Sequence, residues 1–178
     1  MIIVLAGLIG VGKTTIAKEV SKRLDIPLYS IDDDKKKVYK EHPNYDYFLA
    51  NNIPFPDDIR KKAFGAALDG LRILSRKNRH CIVEETFHKK NIREPFFAEV
   101  ETLFGSMILT LVTADEATVR LRLKDRSGHM VGYGMYLSFR EQFEPFEHVD
   151  YTFDTTKDFE KTMEDYLLFL RAKIEKRI

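Results

Sequence analysis

At 178 residues and roughly 150 residues per domain, the chain reads as a single domain over residues 1–178. Its 44% hydrophobic and 32% charged residues are those of an ordinary globular domain, and the apolar start from Met1 to Val11 falls far short of the ~20 residues needed to span a bilayer. The 29 basic against 28 acidic side chains leave a net charge of +1, which excludes a global field for nucleic acid or anionic membrane; one cysteine, Cys81, and no secretory pattern at the start predict a cytoplasmic protein.

Ile2 to Ala6 is an unbroken apolar run ended by glycine, the pattern of a strand buried on both faces, and it is expected at the centre of a parallel sheet. From Lys13 the apolar residues Ile16, Ala17, Val20 and Leu24 recur at helical spacing. A second short strand is expected over Leu28 to Ile31, with Asp32, Asp33 and Asp34 at its C-terminal end and a basic helix after it. Residues 42–58 hold three prolines and the aromatics Tyr45, Tyr47, Phe48 and Phe55, which reads as an irregular or partly helical insertion facing substrate; its aromatics either stack on a ligand ring or form a small core of their own.

A helix over Ile59 to Leu74, a strand over Cys81 to Val83 running into Glu84, Glu85 and Thr86, and a helix around Pro95 to Phe104 continue the alternation. Met107 to Val112 is another strand, Glu116 to Lys124 a helix, Val149 to Phe153 a last strand and Phe159 to Ile174 a terminal amphipathic helix. Between them, residues 120–134 join Arg120, Arg122 and Arg126 to glycines at 128, 132 and 134, which reads as a small mobile lid. His88 reads as a solvated loop histidine and Cys81 as a packing residue. Five strands alternating with helices predict an α/β fold, a three-layer parallel sheet with helices on both faces and ligands outside the strands' carboxyl ends.

Gly7-Leu8-Ile9-Gly10-Val11-Gly12-Lys13-Thr14 fits G-x-x-x-x-G-K-[ST] after a strand and at a helix start, so it is a Walker A phosphate loop. Its amides cradle phosphate, Lys13 reaches the outer phosphates, and the Thr14 hydroxyl ligates magnesium; Thr15 extends the nucleotide-binding set. Guanine specificity has no support, because Thr155-Thr156-Lys157-Asp158 is one residue short of the N/T-K-x-D pattern and Asp125-Arg126-Ser127-Gly128 follows a helix late in the chain rather than the strand before a switch. Three adjacent aspartates repel one another unless a cation or donor joins them. One of them, with Asp32 preferred, suits the general base for an attacking hydroxyl, and Asp32 or Asp34 suits a magnesium contact; a plain helix-capping role fits them too. Strand alternation puts Glu84 and Glu85 on opposite faces, so at least one is expected at the phosphates as a Walker B acid.

Together these features resemble the small P-loop kinases of the nucleoside monophosphate kinase type, which include shikimate, gluconate and chloramphenicol kinases, polynucleotide 5'-hydroxyl kinases and zeta toxins. The stretch Ser30-Ile31-Asp32-Asp33-Asp34-Lys35 is similar to the polynucleotide kinase motif. That likeness implies Asp32 as base and Asp33, Asp34 and Lys35 on the substrate side. Val83-Glu84-Glu85-Thr86 looks like a zeta toxin substrate segment. Arg122 and Arg126 match lid arginines, which implies adenine-side or phosphate contact for Arg122 and transition-state contact for Arg126; Asp154 and Thr155 look like the adenine-side loop. The resemblance implies an ATP- and magnesium-dependent kinase acting on a hydroxyl of a small molecule. A nucleoside, nucleotide or polynucleotide 5' end is the second acceptor class, and an ATP-binding switch or ATPase-like regulator the alternative of another kind.

Overall fold

A computed structural model describes residues 1–124 and 132–175. Strand β1 (Ile2–Ala6) leads into helix α1 (Lys13–Leu24), followed by β2 (Leu28–Tyr29), α2 (Ile31–Lys40), α3 (Tyr45–Ala50) and α4 (Asp57–Ser75). Then come β3 (Cys81–Glu85), α5 (Lys90–Phe104), β4 (Met107–Thr113), α6 (Glu116–Lys124), α7 (Tyr133–Glu141), β5 (Tyr151–Asp154) and α8 (Phe159–Glu175). The sheet is parallel throughout, in the order β2-β3-β1-β4-β5, so the α/β architecture and the central place of β1 are as the apolar pattern predicts.

Alternation along β1 divides the core. Ile3 and Leu5 pack with α1, α6 and α8 through Ile16, Val20, Val119 and Tyr166. Ile2, Val4 and Ala6 face the other way, onto α4 and α5 through Phe64, Leu71, Phe96 and Val100. Both faces are thus covered by apolar helix surfaces, the condition under which an all-parallel sheet is stable.

Three local expectations are corrected. The second strand ends at Tyr29 rather than at Ile31, because Ser30 takes an extended N-cap conformation and Ile31 turns inward, fully buried, as the first residue of α2. The three aspartates therefore occupy a first helical turn, where the helix dipole favours them. Residues 133 and 134, placed at the end of the expected 120–134 lid, open helix α7, which runs on to Glu141 and is anchored by the buried Met135 and Tyr136. Pro95, taken as a helix start, lies inside α5, which begins at Lys90. The 42–58 segment contains α3, and its rings do build a small core: Phe55 stacks on Tyr39 with centroids 4.1 Å apart, and Phe48 packs on both Phe55 and His42.

Candidate active site

β1 stops at Ala6 and α1 opens at Lys13, so residues 7–12 fold over the carboxyl edge of the sheet. Gly7 has φ 148°, and a Cβ there would run into the Val112 carbonyl oxygen; glycine is the residue that fits. Gly12, at φ 103°, caps α1 and leaves the first-turn amides of the helix directed outward, where their dipoles favour an anion. Lys13 folds back across the loop, its Nζ donating to the Leu8 carbonyl at 3.0 Å. Burial pushes its pKa down, and Glu84, Glu85 and Asp32 oppose that shift.

β3 lies beside β1 in register, Leu5 opposite Glu84 and Ala6 opposite Glu85. The cleft crosses the strand ends, so both glutamates line it rather than one. Glu84 Oε1 accepts a hydrogen bond from the Thr14 hydroxyl at 2.8 Å; burial raises its pKa against the pull of Lys13 and this bond. Glu85, 7% exposed, accepts from the Thr86 amide at 2.8 Å and from Lys35 Nζ at 2.5 Å. Burial alone would raise the Glu85 carboxyl, but the Lys35 charge overrides it and holds the group below the usual range, while Glu85 and Asp32 hold Lys35 above its own. Lys35 also donates to Asp32 Oδ1 at 2.9 Å, so one ammonium ties two carboxylates together.

The helical start of α2 decides which aspartate faces the cleft. Successive residues of a helix fan out by about 100°, and with Ile31 turned into the core only Asp32 lines the cleft wall. Asp33 points outward, 66% exposed and 4.0 Å from Lys36. Asp34 turns back to the sheet edge, where Tyr29 donates to it at 2.6 Å and Lys37 at 3.3 Å. The phase of the helix thus turns Asp33 and Asp34, expected on the substrate side with Asp34 also a magnesium candidate, away from the cleft wall. The Thr14 hydroxyl and the Glu84 carboxylate, by contrast, both line the cleft, and such oxygens fit an ion that takes its remaining ligands from phosphate and water, as magnesium does. Among the described residues no cluster of three or more His, Cys, Asp or Glu side chains forms a cation site.

Gly10, Gly12, Lys13, Thr14 and Thr15 line the cleft together with Asp32, Lys35, Glu84, Glu85 and Thr86. Other predicted residues stand behind it. Arg122 Nη1 donates to the Val11 carbonyl at 3.2 Å and to Thr155 Oγ1 at 2.9 Å, and Thr155 Oγ1 donates in turn to Val11 at 2.8 Å. Gly7 and Val11 are buried supports of the loop, and Asp154 accepts from the Thr156 amide and hydroxyl. Arg122 and Thr155 thus brace the phosphate loop from its outer side. Arg126 lies outside the described residues, as does the stretch of the expected lid from 125 to 131.

The cleft measures about 510 Å³, and part of its wall escaped the sequence reading. Arg60 of α4 is 6% exposed; its Nη1 lies 3.2 Å from His88 Nε2 and 3.5 Å from Asp57. His88 is fully buried, stacked on Phe139 of α7 at 4.1 Å, which corrects its assignment as a solvated loop residue. Burial, followed by the Arg60 charge, pushes its pKa down to about 3, so the ring is neutral. A buried arginine carries no sequence signal that separates it from a surface one.

A family profile described as AAA domain matches residues 3–134, three quarters of the chain and the whole phosphate loop and acid floor. The chain belongs to the AAA domain family. None of the curated proteins matches this AAA domain in sequence. Its fold recurs in a sugar kinase from Janibacter sp. HTCC2649, with a TM-score of 0.76 at 18% identity over 96% of this chain and 94% of that one. A gluconokinase from Sinorhizobium meliloti 1021 gives 0.73 at 19% over 98% and 93%, and shikimate kinase from Aquifex aeolicus 0.55 at 19% over 98% of each. At such identities the likeness speaks for the fold, which is that of the small P-loop kinases the motifs resemble. No helix among the described residues is long and apolar enough to cross a membrane.

Proposed function

We propose that this protein is an ATP-dependent phosphotransferase that moves the γ-phosphoryl group onto a hydroxyl of a small-molecule acceptor. The observation that carries the reading is Asp32, a carboxylate 62% exposed into the cleft that also holds Lys13 and Thr14, oriented by Lys35 from below. A switch or plain ATPase has no need of a carboxylate placed where an alcohol would approach the phosphate loop. The sugar kinase and gluconokinase likenesses support phosphoryl transfer to an alcohol as the general reaction.

In this reading the loop amides and Lys13 hold the triphosphate and gather the charge that develops on the transferring group. The Thr14 hydroxyl and the Glu84 carboxylate, with Asp32 nearby, would hold magnesium, which would supply neutralisation of the triphosphate charge. Asp32 accepts the proton of the acceptor hydroxyl as its oxygen bonds to phosphorus and the bond to the ADP oxygen breaks. Lys35 aims Asp32 through its hydrogen bond, and buried Glu85 fixes Lys35. Arg122 steadies the loop through Val11 and Thr155, on the side assigned to adenine.

A polynucleotide acceptor fits less well. Of Lys35, Lys36, Lys37, Lys61, Lys62, Lys89 and Lys90, which would supply its local basic charge, all but Lys61 lie beside a carboxylate among the described residues: Asp32 and Glu85, Asp33, Asp34, Glu41, Asp57 and Glu147 respectively. The test is transfer of labelled γ-phosphate to a panel of hydroxyl compounds by wild type and Asp32→Asn. The variant is expected to lose about 10²- to 10⁴-fold in transfer with its affinity for a non-hydrolysable ATP analogue unchanged. Label found only as free phosphate, at the same rate in both proteins, would instead mark a nucleotide-driven switch.

A further inference from the structure

The acceptor half of the cleft has an unusual division of polarity. One wall is apolar: Leu49, Ile53, Pro54 and Phe55 from α3 and the loop after it, facing Met135 and Phe139 of α7. The two sides meet above the cleft, where the Gly132 amide donates to Asn52 Oδ1 at 3.3 Å. Phe55 is held flat by its stack on Tyr39, and Phe139 by its stack on His88, so these are rigid surfaces rather than loose side chains.

Several of the polar groups below them are already joined to one another, while Lys36, Tyr39 and Thr86 also line the cleft. Lys35 bridges Glu85 and Asp32, Glu85 also takes the Thr86 amide, and Arg60 is engaged with His88 and Asp57. Asp32 alone among these acids presents a largely exposed carboxylate to the cleft. A free sugar or sugar acid carries a hydroxyl on nearly every carbon, and each one buried without a partner is unfavourable. Such a ligand would set most of its hydroxyls against Leu49, Ile53 and Phe139. A ligand with one polar corner and an apolar body matches both walls.

We infer that the second ligand of this cleft, the acceptor under the function proposed above on which this inference rests, is an alcohol borne on an aromatic or alicyclic body rather than a free polyol. Its hydroxyl sits at Asp32 and its ring lies between the Ile53–Phe55 segment and Phe139. The acceptors named for the similarly folded sugar kinase and gluconokinase therefore do not carry over.

The experiment titrates glycerol, its monophenyl ether and gluconate into the protein saturated with magnesium and a non-hydrolysable ATP analogue, and repeats each with γ-labelled ATP. The phenyl ether, which keeps two of glycerol's three hydroxyls and adds a ring, is expected to bind at least about tenfold more tightly than glycerol. Ile53→Asn, and Leu49→Gln as a second variant on the outer helix, are expected to narrow that gap to about threefold or less without changing affinity for the analogue. Equal affinities for glycerol and its phenyl ether, tightest binding by gluconate, or binding by none of the three would each overturn the inference. Preferential binding of the phenyl ether with label released only as free phosphate keeps the apolar ligand assignment and removes the transferase reading.

Discussion

Glu85 and Lys35 show how far a side chain's meaning depends on its partner. Each is a charge withdrawn from water, and each is tolerated because the other lies 2.5 Å away. Glu85→Gln is expected to leave Lys35 uncompensated and to lower stability by about 3 kcal/mol in urea unfolding, whereas Glu85→Leu combined with Lys35→Leu recovers most of that loss while phosphoryl transfer stays low. If the single and double variants are equally unstable, the pair is not acting as a unit. The sequence singled out the Asp-Asp-Asp run and preferred Asp32, but which member faces the cleft was not legible, because that choice is made by Ile31 entering the core and setting the helix phase.

His88 makes the same point between elements, since its ring is enclosed by Arg60 from α4 and Phe139 from α7. Its folded pKa of about 3 lies below the unfolded value of about 6.5, so below that pH the unfolded chain binds the extra proton. Stability is accordingly full above about pH 6.5 and falls as the pH drops toward 3, by up to ~1.4 kcal/mol per unit from this group. His88→Phe, which keeps the stack on Phe139, is expected to flatten the slope in pH-resolved denaturation. In the turn from β1 to α1, Gly7→Ala combines a φ of 148° with a clash on the Val112 carbonyl, and about 1–3 kcal/mol of destabilisation with loss of nucleotide binding is expected. Helix α7 was not legible because the glycines at 132 and 134 read as the end of a lid, while the tertiary burial of Met135 and Tyr136 outweighs their low helical propensity.

For the whole molecule, the carboxyl edge of the sheet collects residues of the phosphate loop, α1, α2, α3, α4, β3 and α7 around one cleft. Binding there should stabilise the entire fold by mass action: at 100 times Kd, magnesium with a non-hydrolysable ATP analogue is expected to add about 2.7 kcal/mol, seen as a rise in Tm. Lys13→Ala should abolish the rise, and Glu84→Gln should remove most of its dependence on magnesium while the magnesium-free response persists. A Glu84→Gln protein with an unchanged magnesium response would take that carboxylate out of the ion site.

By itself the sequence determined the parallel α/β fold, the phosphate loop and the acid-bearing strand ends, because each is local: an apolar run, a glycine spacing or a helical period constrains the backbone within a few residues. Tertiary structure decided what depends on distant neighbours. It turned Asp34 to Tyr29, gave Glu84 to Thr14 and Glu85 to Lys35, buried Arg60 against His88, and set an apolar wall opposite Asp32. Those pairings join residues up to 70 positions apart, and only packing of the sheet and its helices brings such residues within hydrogen-bonding distance.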